Sequence, residues 1–453
     1  MYQHVCIYSQ TATISLSWSR SSLPPPSRLV KSTIRCVALT KQGERFLNTI
    51  AAKDTDSSLA DRLIGKFVAA SSKSVALNAL SYLLSSQDGN SRFSSLALPL
   101  YYRITEASWF NWNPKLMADL IALLDKRGRH KECETLMIEA TSKLSSRERE
   151  LAMFYCNLMD SLSKQKSERG FDDCYDRLYR IVCDSCSVYV KRQGYKSMIG
   201  GLCERGEPKG AQNLIEEMRM KGIKPSLFEF RSVLYAYGRL GLFADMQRSI
   251  DEIENEGFKI DTVCSNMVLS SYGAHDELPR MVSWLQKMRT SGIQMSTRTY
   301  NTTLNSCPTL TRMLQGSNDF PVSITELVEI LSESEVLLVK ELACSSVLEE
   351  AMEWDSMEAK LDLHGMHLGS AYLIMLQWME EMRRRLGGGE FVVPAGITVV
   401  CGSGKHSSAR GESPIKIMVK KMMIQTKSPM RIDRKNIGCF VAKGKAVKDW
   451  LFQ

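Results

Sequence analysis

Two short stretches near the C-terminus carry residue types suited to phosphate. In Leu361-Asp362-Leu363-His364-Gly365 the acid and the histidine lie two apart, a spacing that places both side chains on one face of a strand end. Further on, Cys401-Gly402-Ser403-Gly404-Lys405-His406-Ser407 offers a glycine loop. Gly402 and Gly404 leave backbone amides uncovered, which suits an anion-binding nest, and Lys405 adds positive charge. The long glycine spacing before the lysine and the Ser/Thr after it that a nucleotide-binding P-loop requires are missing. His364, His367 and His406 are half of the chain's six histidines. No clustered carboxylates accompany Asp362, so a divalent metal held there is possible but not indicated, and no other cofactor is expected.

These stretches need strands to present them, and the surrounding pattern supplies such elements. A helix with Ala371, Ile374, Met375 and Trp378 on one face follows the first stretch and is stopped by Gly387-Gly388-Gly389. Ile397-Thr398-Val399-Val400 reads as a buried strand running into the glycine loop. A basic helix is predicted over 414–424, and Ile437-Gly438-Cys439-Phe440-Val441 reads as a last strand. Alternating strands and helices predict a small α/β sandwich over 360–453. Its net charge is +9, against −10 for 319–359, which reads as an acidic, solvated helical connector, and +5 for 42–318.

Upstream of the connector a period of 35 residues dominates. Gly222-Ile223-Lys224-Pro225 returns as Gly257-Phe258-Lys259-Ile260 and as Gly292-Ile293-Gln294-Met295. An aromatic slot runs Tyr195, Phe230, Ser265, Tyr300; a large apolar slot runs Met218, Ile253, Met288; a turn slot runs Gly206, Gly241, Asp276. Tyr195, Met198, Ile199 and Leu202, like Phe230, Val233, Leu234 and Tyr237, follow helical spacing, so each unit opens on an amphipathic helix. A second helix carries Ala211, Leu214, Ile215 and Met218; the glycine beyond it suits a left-handed cap and Pro225 forbids continuation. One hairpin leaves a face unburied, so neighbours must stack into a solenoid.

The units resemble the pentatricopeptide repeat, a family of helical hairpins that bind single-stranded RNA. The likeness is clear over 192–296. It fades upstream into worn copies between 42 and 191, at Tyr155 to Gly170, at Leu116 to Gly128 and before Asn113-Pro114, and downstream Tyr300-Asn301 opens one more unit that departs at Cys307-Pro308. A tetratricopeptide scaffold is the competing assignment, with a different period and signature. The resemblance implies a right-handed α-solenoid over 192–318. It also implies base reading by the residue after the aromatic slot together with the last residue of the repeat: Lys196 with Ser226, Arg231 with Asp261, Asn266 with Ser296, and Asn301 opening the next unit. Only Asn266 with Ser296 looks like a usual pyrimidine-reading pair; Lys196 and Arg231 look more like phosphate contacts.

The C-terminal block resembles the small MutS-related domain, called Smr, with its Asp-x-His and glycine-loop motifs in order; Cys401 stands where that family usually has Thr. The resemblance assigns endonuclease activity to Asp362 and His364, and nucleic-acid binding to Gly402, Gly404, Lys405 and His406. In that scheme His364 takes a proton from the attacking hydroxyl or water, Asp362 orients it, Lys405 and the loop amides stabilise the phosphorane, and His406 protonates the leaving group. The alternative is a passive clamp with no cleavage.

The chain has 453 residues, 44% hydrophobic and 24% charged, and carries a net charge of +9, which argues against wholesale disorder and a membrane-embedded body. Its 13 cysteines are an odd number spread along a large protein and read as reduced thiols. No acid precedes Glu44, eight serines fall in the first forty residues, and Pro24-Pro25-Pro26 disfavours an amphipathic helix. Residues 1–36 therefore read as a chloroplast transit peptide, with a mitochondrial one as the alternative. Cys183 and Cys186, with Cys174 and Cys203, imitate half a zinc site but read as ordinary buried cysteines. Trp109, Trp112 and the run Met418, Met422, Met423 read as core. The expected function is organellar transcript processing on single-stranded RNA, with cleavage by the Smr-like block. The alternatives are a non-catalytic factor that stabilises, remodels or promotes translation of transcripts, and a protein-interaction scaffold. DNA is a further partner open to the C-terminal block.

Overall fold

The computed structural model describes residues 39–51, 57–85, 91–316, 320–388, 391–402 and 413–452. The segment read as a transit peptide lies outside them, as do Gly404, Lys405 and His406. Contacts divide the chain after Phe110 into two units.

The first unit is helical: α1 Lys41–Ala51, α2 Ser57–Ala70, α3 Lys73–Ser85, α4 Ser91–Ser94 and α5 Ala97–Thr105. Its core holds Ile64, Leu80, Leu83 and Leu100, with Phe46 stacked on Phe67 at 4.0 Å between ring centroids. Trp109, expected in a core, is half-buried.

The second unit opens with two hairpins that the sequence read only as worn copies. These are α6 Pro114–Lys126 with α7 His130–Leu144, and α8 Glu148–Gln165 with α9 Glu168–Asp184. Asn113 caps α6 by accepting from the Lys115 and Leu116 amides, and Pro114 occupies the first turn, where its missing N–H costs nothing. The periodic hairpins follow: α10 Val188–Arg205 with α11 Pro208–Met220, α12 Leu227–Arg239 with α13 Phe243–Asn255, α14 Thr262–Ala274 with α15 Leu278–Thr290, and α16 Thr297–Asn305 with α17 Pro308–Gly316. First helices pack on first helices, α6 on α8, α8 on α10, and so on to α16.

Each periodic slot has a physical role. The turn slot residues Gly206, Gly241 and Asp276 all take positive φ, as do Gly222, Gly257 and Gly292. After the second helices the amides of Ile223, Phe258 and Ile293 bond back to the carbonyls of Met218, Ile253 and Met288, the left-handed closure of a helix end. The aromatic slot is buried throughout. Gly238 and Gly273, also 35 apart, sit against Ser271 and Ser306, so closely that a Cβ would meet the serine hydroxyl; this approach sets the spacing of α12, α14 and α16.

The acidic segment differs from the expected solvated connector. It forms α18 Ile324–Ile330, α19 Glu333–Ala343 and α20 Val347–Ala351, and then already contains β1 Met352–Trp354 and the start of β2 Glu358–Asp362. The sheet therefore begins at 352 and not 360. Its charges are used: buried Glu335 accepts from the Ser332 amide and from Thr309 at the head of α17, and Glu341 pairs with Arg289 of α15 at 3.0 Å. The rest comprises α21 Leu368–Gly387, β3 Gly396–Val400, α22 Pro414–Gln425, β4 Arg431–Ile432, β5 Cys439–Lys443 and α23 Gly444–Leu451. The strand order is β1-β2-β3-β5-β4, with β2 and β3 parallel and the other pairs antiparallel. The two edge strands, three and two residues long, are too short to show a period in sequence. Met418, Met422 and Met423 are core.

The repeats and the sheet domain share a core. Tyr300, buried at the aromatic slot, donates its hydroxyl to the Leu342 carbonyl at 2.6 Å and lies 3.2 Å from Gln377 of α21. Gly369 at the start of α21 lies against Leu304 and Leu310, and the Tyr372 hydroxyl donates to the Pro321 carbonyl. No helix among the described residues is long and apolar enough to cross a membrane.

Candidate nucleic-acid interface

The residues assigned to base reading fall into two groups by origin. Lys196, Arg231, Asn266 and Asn301 lie on first helices, directly after the buried aromatic slot. Ser226, Asp261 and Ser296 are the N-caps of α12, α14 and α16, accepting from the amides of Phe228, Cys264 and Thr299. A capping residue stands beside the first helix that precedes its own in the row, where it can meet the reading position of that helix.

The structure brings two of these pairs together. Arg231 Nη2 lies 2.5 Å from Asp261 Oδ2, and Asn266 Nδ2 lies 3.5 Å from Ser296 Oγ. Burial alone would raise the Asp261 carboxyl, but the Cys264 amide and the Arg231 guanidinium outweigh it and hold it below the usual carboxylate range. Arg231 is thus largely spent on Asp261, which lowers its value as a phosphate contact. Asn266 is 5% exposed, and its Oδ1 has no hydrogen-bond partner among the described residues, an arrangement that leaves a costly buried acceptor unless something donates to it. Lys196 is not joined to Ser226. Its ammonium stands 4.3 Å from the centroid of the Phe228 ring, while Ser226 bonds Glu229 in a capping box.

Sequence reasoning missed the exposed members of the row. Phe228 and Val263, 35 apart at the second position of their helices, are 43% and 50% exposed, and exposed Arg298 follows at the same step. The same period that located the core would have found them, had apolar residues outside the helical stripe been followed. Asn301 breaks the series: it donates to the Gly365 carbonyl at 2.8 Å and accepts from the His367 amide at 2.7 Å, and so is held by the sheet domain.

That domain places Asp362 at the C-terminal end of β2, in register with Val400 at the end of parallel β3. Open α/β sheets bind ligands at such strand ends. Asp362 Oδ1 accepts from both the His364 amide at 2.9 Å and His364 Nδ1 at 2.8 Å. The carboxylate favours the tautomer protonated on Nδ1 and leaves Nε2 with its lone pair. The pair is solvent-accessible, with side chains 42% and 64% exposed. Gly402, with φ +82°, faces His364, a Cβ there lying 3.6 Å from Nε2. Cys401 beside it is buried, and burial pushes its thiol up to about 12. Among the described residues no group of three or more His, Cys, Asp or Glu is placed to hold a metal ion. Cys174 and Cys203 are buried, whereas Cys183 and Cys186, expected to be buried too, are exposed. Trp112, also expected in a core, is half-buried with Lys143 over its ring.

Comparison with known proteins fits this geometry. The PPR repeat family matches residues 195–223 and 263–293, which correspond to the hairpins begun by α10 and α14. The pentatricopeptide repeat-containing protein At2g17033 of Arabidopsis thaliana is 56% identical over 451 residues, covering 99% of this chain and 88% of that protein. Two others from the same plant are more distant. At5g48730, named chloroplastic, is 24% identical over 44% of this chain and 38% of its own length; At2g18520, named mitochondrial, is 25% identical over 42% and 45%. On its repeats and on its similarity along nearly its whole length, the chain belongs to the pentatricopeptide repeat family.

Proposed function

We propose that the chain binds single-stranded RNA along the row of first helices from α10 to α14. The observation that carries this reading is the row that the repeat sets out on its first helices: exposed Phe228 with Lys196 over its ring, exposed Val263, and buried Asn266 beside Ser296. Exposed ring and aliphatic faces suit base stacking, Lys196 suits a phosphate, and the buried, unpartnered Asn266 Oδ1 suits a base donor. The expected division is worn repeats over 42–191, pentatricopeptide repeats over 192–318, clear to 296, an acidic connector over 319–359 and a domain of Smr type over 360–453. Binding of a randomised single-stranded RNA pool by the full chain tests this. Recovery of single-stranded over double-stranded RNA is expected; equal binding of duplex would contradict it.

A second reading, cleavage by the C-terminal domain, is favoured by the Asp362–His364 hydrogen bond. His364 Nε2 takes the proton of the attacking hydroxyl or water while Asp362 stabilises the imidazolium. The phosphate-binding role expected of Gly402, Gly404, Lys405 and His406 belongs to the same reading, and the last three lie outside the described residues. New RNA ends that vanish in Asp362→Ala and His364→Ala, with binding kept, are the expected result. Unchanged ends in both variants would leave the domain a clamp that shields or remodels RNA. Residence in an organelle, the chloroplast before the mitochondrion, is supported by the acid-free, Ser-rich first forty residues and by the names of the two distant relatives.

A further inference from the structure

We infer that Asn301 and Asn305 are positioning residues that latch the His364 loop onto the last repeat, so that a strand lying on the first-helix row runs directly into the Asp362–His364 pair. The inference rests on the RNA reading for its strand, but not for the latch.

Asn301 is one repeat step beyond Asn266, yet its side chain is turned to a different task. One planar amide satisfies two backbone groups of the β2–α21 loop at once, donating to Gly365 O and accepting from His367 N. Among side chains of this length only asparagine offers a donor and an acceptor in that fork. Asn305, one turn along the same face of α16, places Nδ2 2.7 Å from His367 Nδ1. The loop is otherwise held by the bonds from Leu363 N to Val400 O and from Met366 N to Leu363 O and by the buried side chains of Leu363 and Met366, while Gly365 between them takes φ +75°. His364 lies within this loop, bonded to Asp362 through its own amide and ring. The helix that would carry the next reading position therefore sets the loop that follows Asp362 and holds His364, and the reading track ends at Asn266. Asn301, one repeat step beyond Asn266, already touches the domain.

Hydrogen exchange and photo-crosslinking on the full chain test the two halves separately. In Asn301→Ala, exchange across 363–368 is expected to quicken about fivefold or more, the loss of one or two hydrogen bonds. Asn301→Asp keeps the acceptor and is expected to retain protection at the His367 amide while losing the bond to Gly365. Asn305→Ala, an exposed change, is expected to loosen the same segment less. Should Asn301→Ala fail to fold, the other two variants decide. Unchanged exchange in folded variants would overturn the latch. With 4-thiouridine-substituted single-stranded RNA, crosslinks to 358–368 relative to those on α12 and α14 are expected to fall several-fold in Asn301→Ala, with base composition unchanged. An unchanged ratio, a base-selective loss, or crosslinks on α12 and α14 of the unaltered chain with none at 358–368 would overturn the positioning role. No crosslinks anywhere would remove the RNA reading, and the exchange result would still decide the latch.

Discussion

Arg231 and Asp261 neutralise one another at 2.5 Å, whereas Asn266 sits buried with an idle acceptor and Lys196 over an exposed ring. These positions should answer differently to substitution. Asn266→Ala is expected to change base preference at one nucleotide, by about 1–3 kcal/mol between bases, as read by selection from a randomised pool. Lys196→Ala is expected to weaken all sequences alike and to reduce the salt slope by about 1. Equal losses across the pool for both would count against the assignment. The types and spacing of these residues were legible because the period fixed them. What sequence could not show is which were already engaged: Asn301 matches Asn266 by position, but its partners Gly365 and His367 come from a loop far along the chain, and no local pattern announces a long-range hydrogen bond.

At the scale of elements, the close approach of first helices and the buried acid of α19 are the points most open to test. Gly238→Ala forces a methyl against Ser271 and Met246 and is expected to cost about 1–3 kcal/mol in denaturant unfolding, the usual price of overpacking. Glu335 is buried and would rise on that ground, but the hydrogen bonds from Ser332 and Thr309 outweigh burial and hold it below the usual glutamate range. Its contribution is therefore present above an unfolded-state value of about 4.3 and lost as pH falls through the lower folded value. Glu335→Gln should flatten the acid limb of the stability curve, seen in unfolding midpoints at successive pH; an unchanged acid limb would show that Glu335 is not the group responsible. The helices and the glycine caps were legible through periods of 3.6 and 35, and the three inner strands as short apolar runs. The two edge strands were not, and the acidic segment misled because a net charge of −10 says nothing about which carboxylates cap a neighbour.

In the unit from Asn111 onward, the last repeat and the sheet domain fold as partners, with Tyr300, Leu304 and Leu310 buried between α16, α17, α19 and α21. Deleting 319–453 is expected to abolish exchange protection in α16 and α17 while leaving α12 protected, since repeat arrays are stabilised by nearest neighbours. Retained protection in α16 would show that the hairpin needs no such cover. The binding proposed for this chain depends on single-stranded RNA lying along the first helices. The most direct measurement maps photo-crosslinks from a 4-thiouridine-substituted single-stranded RNA to peptides of the full chain at two salt concentrations. Crosslinks are expected on α10, α12 and α14 that weaken steeply as salt rises, because phosphate contacts release counterions. Crosslinks confined to α11, α13 and α15, or indifferent to salt, would contradict that placement.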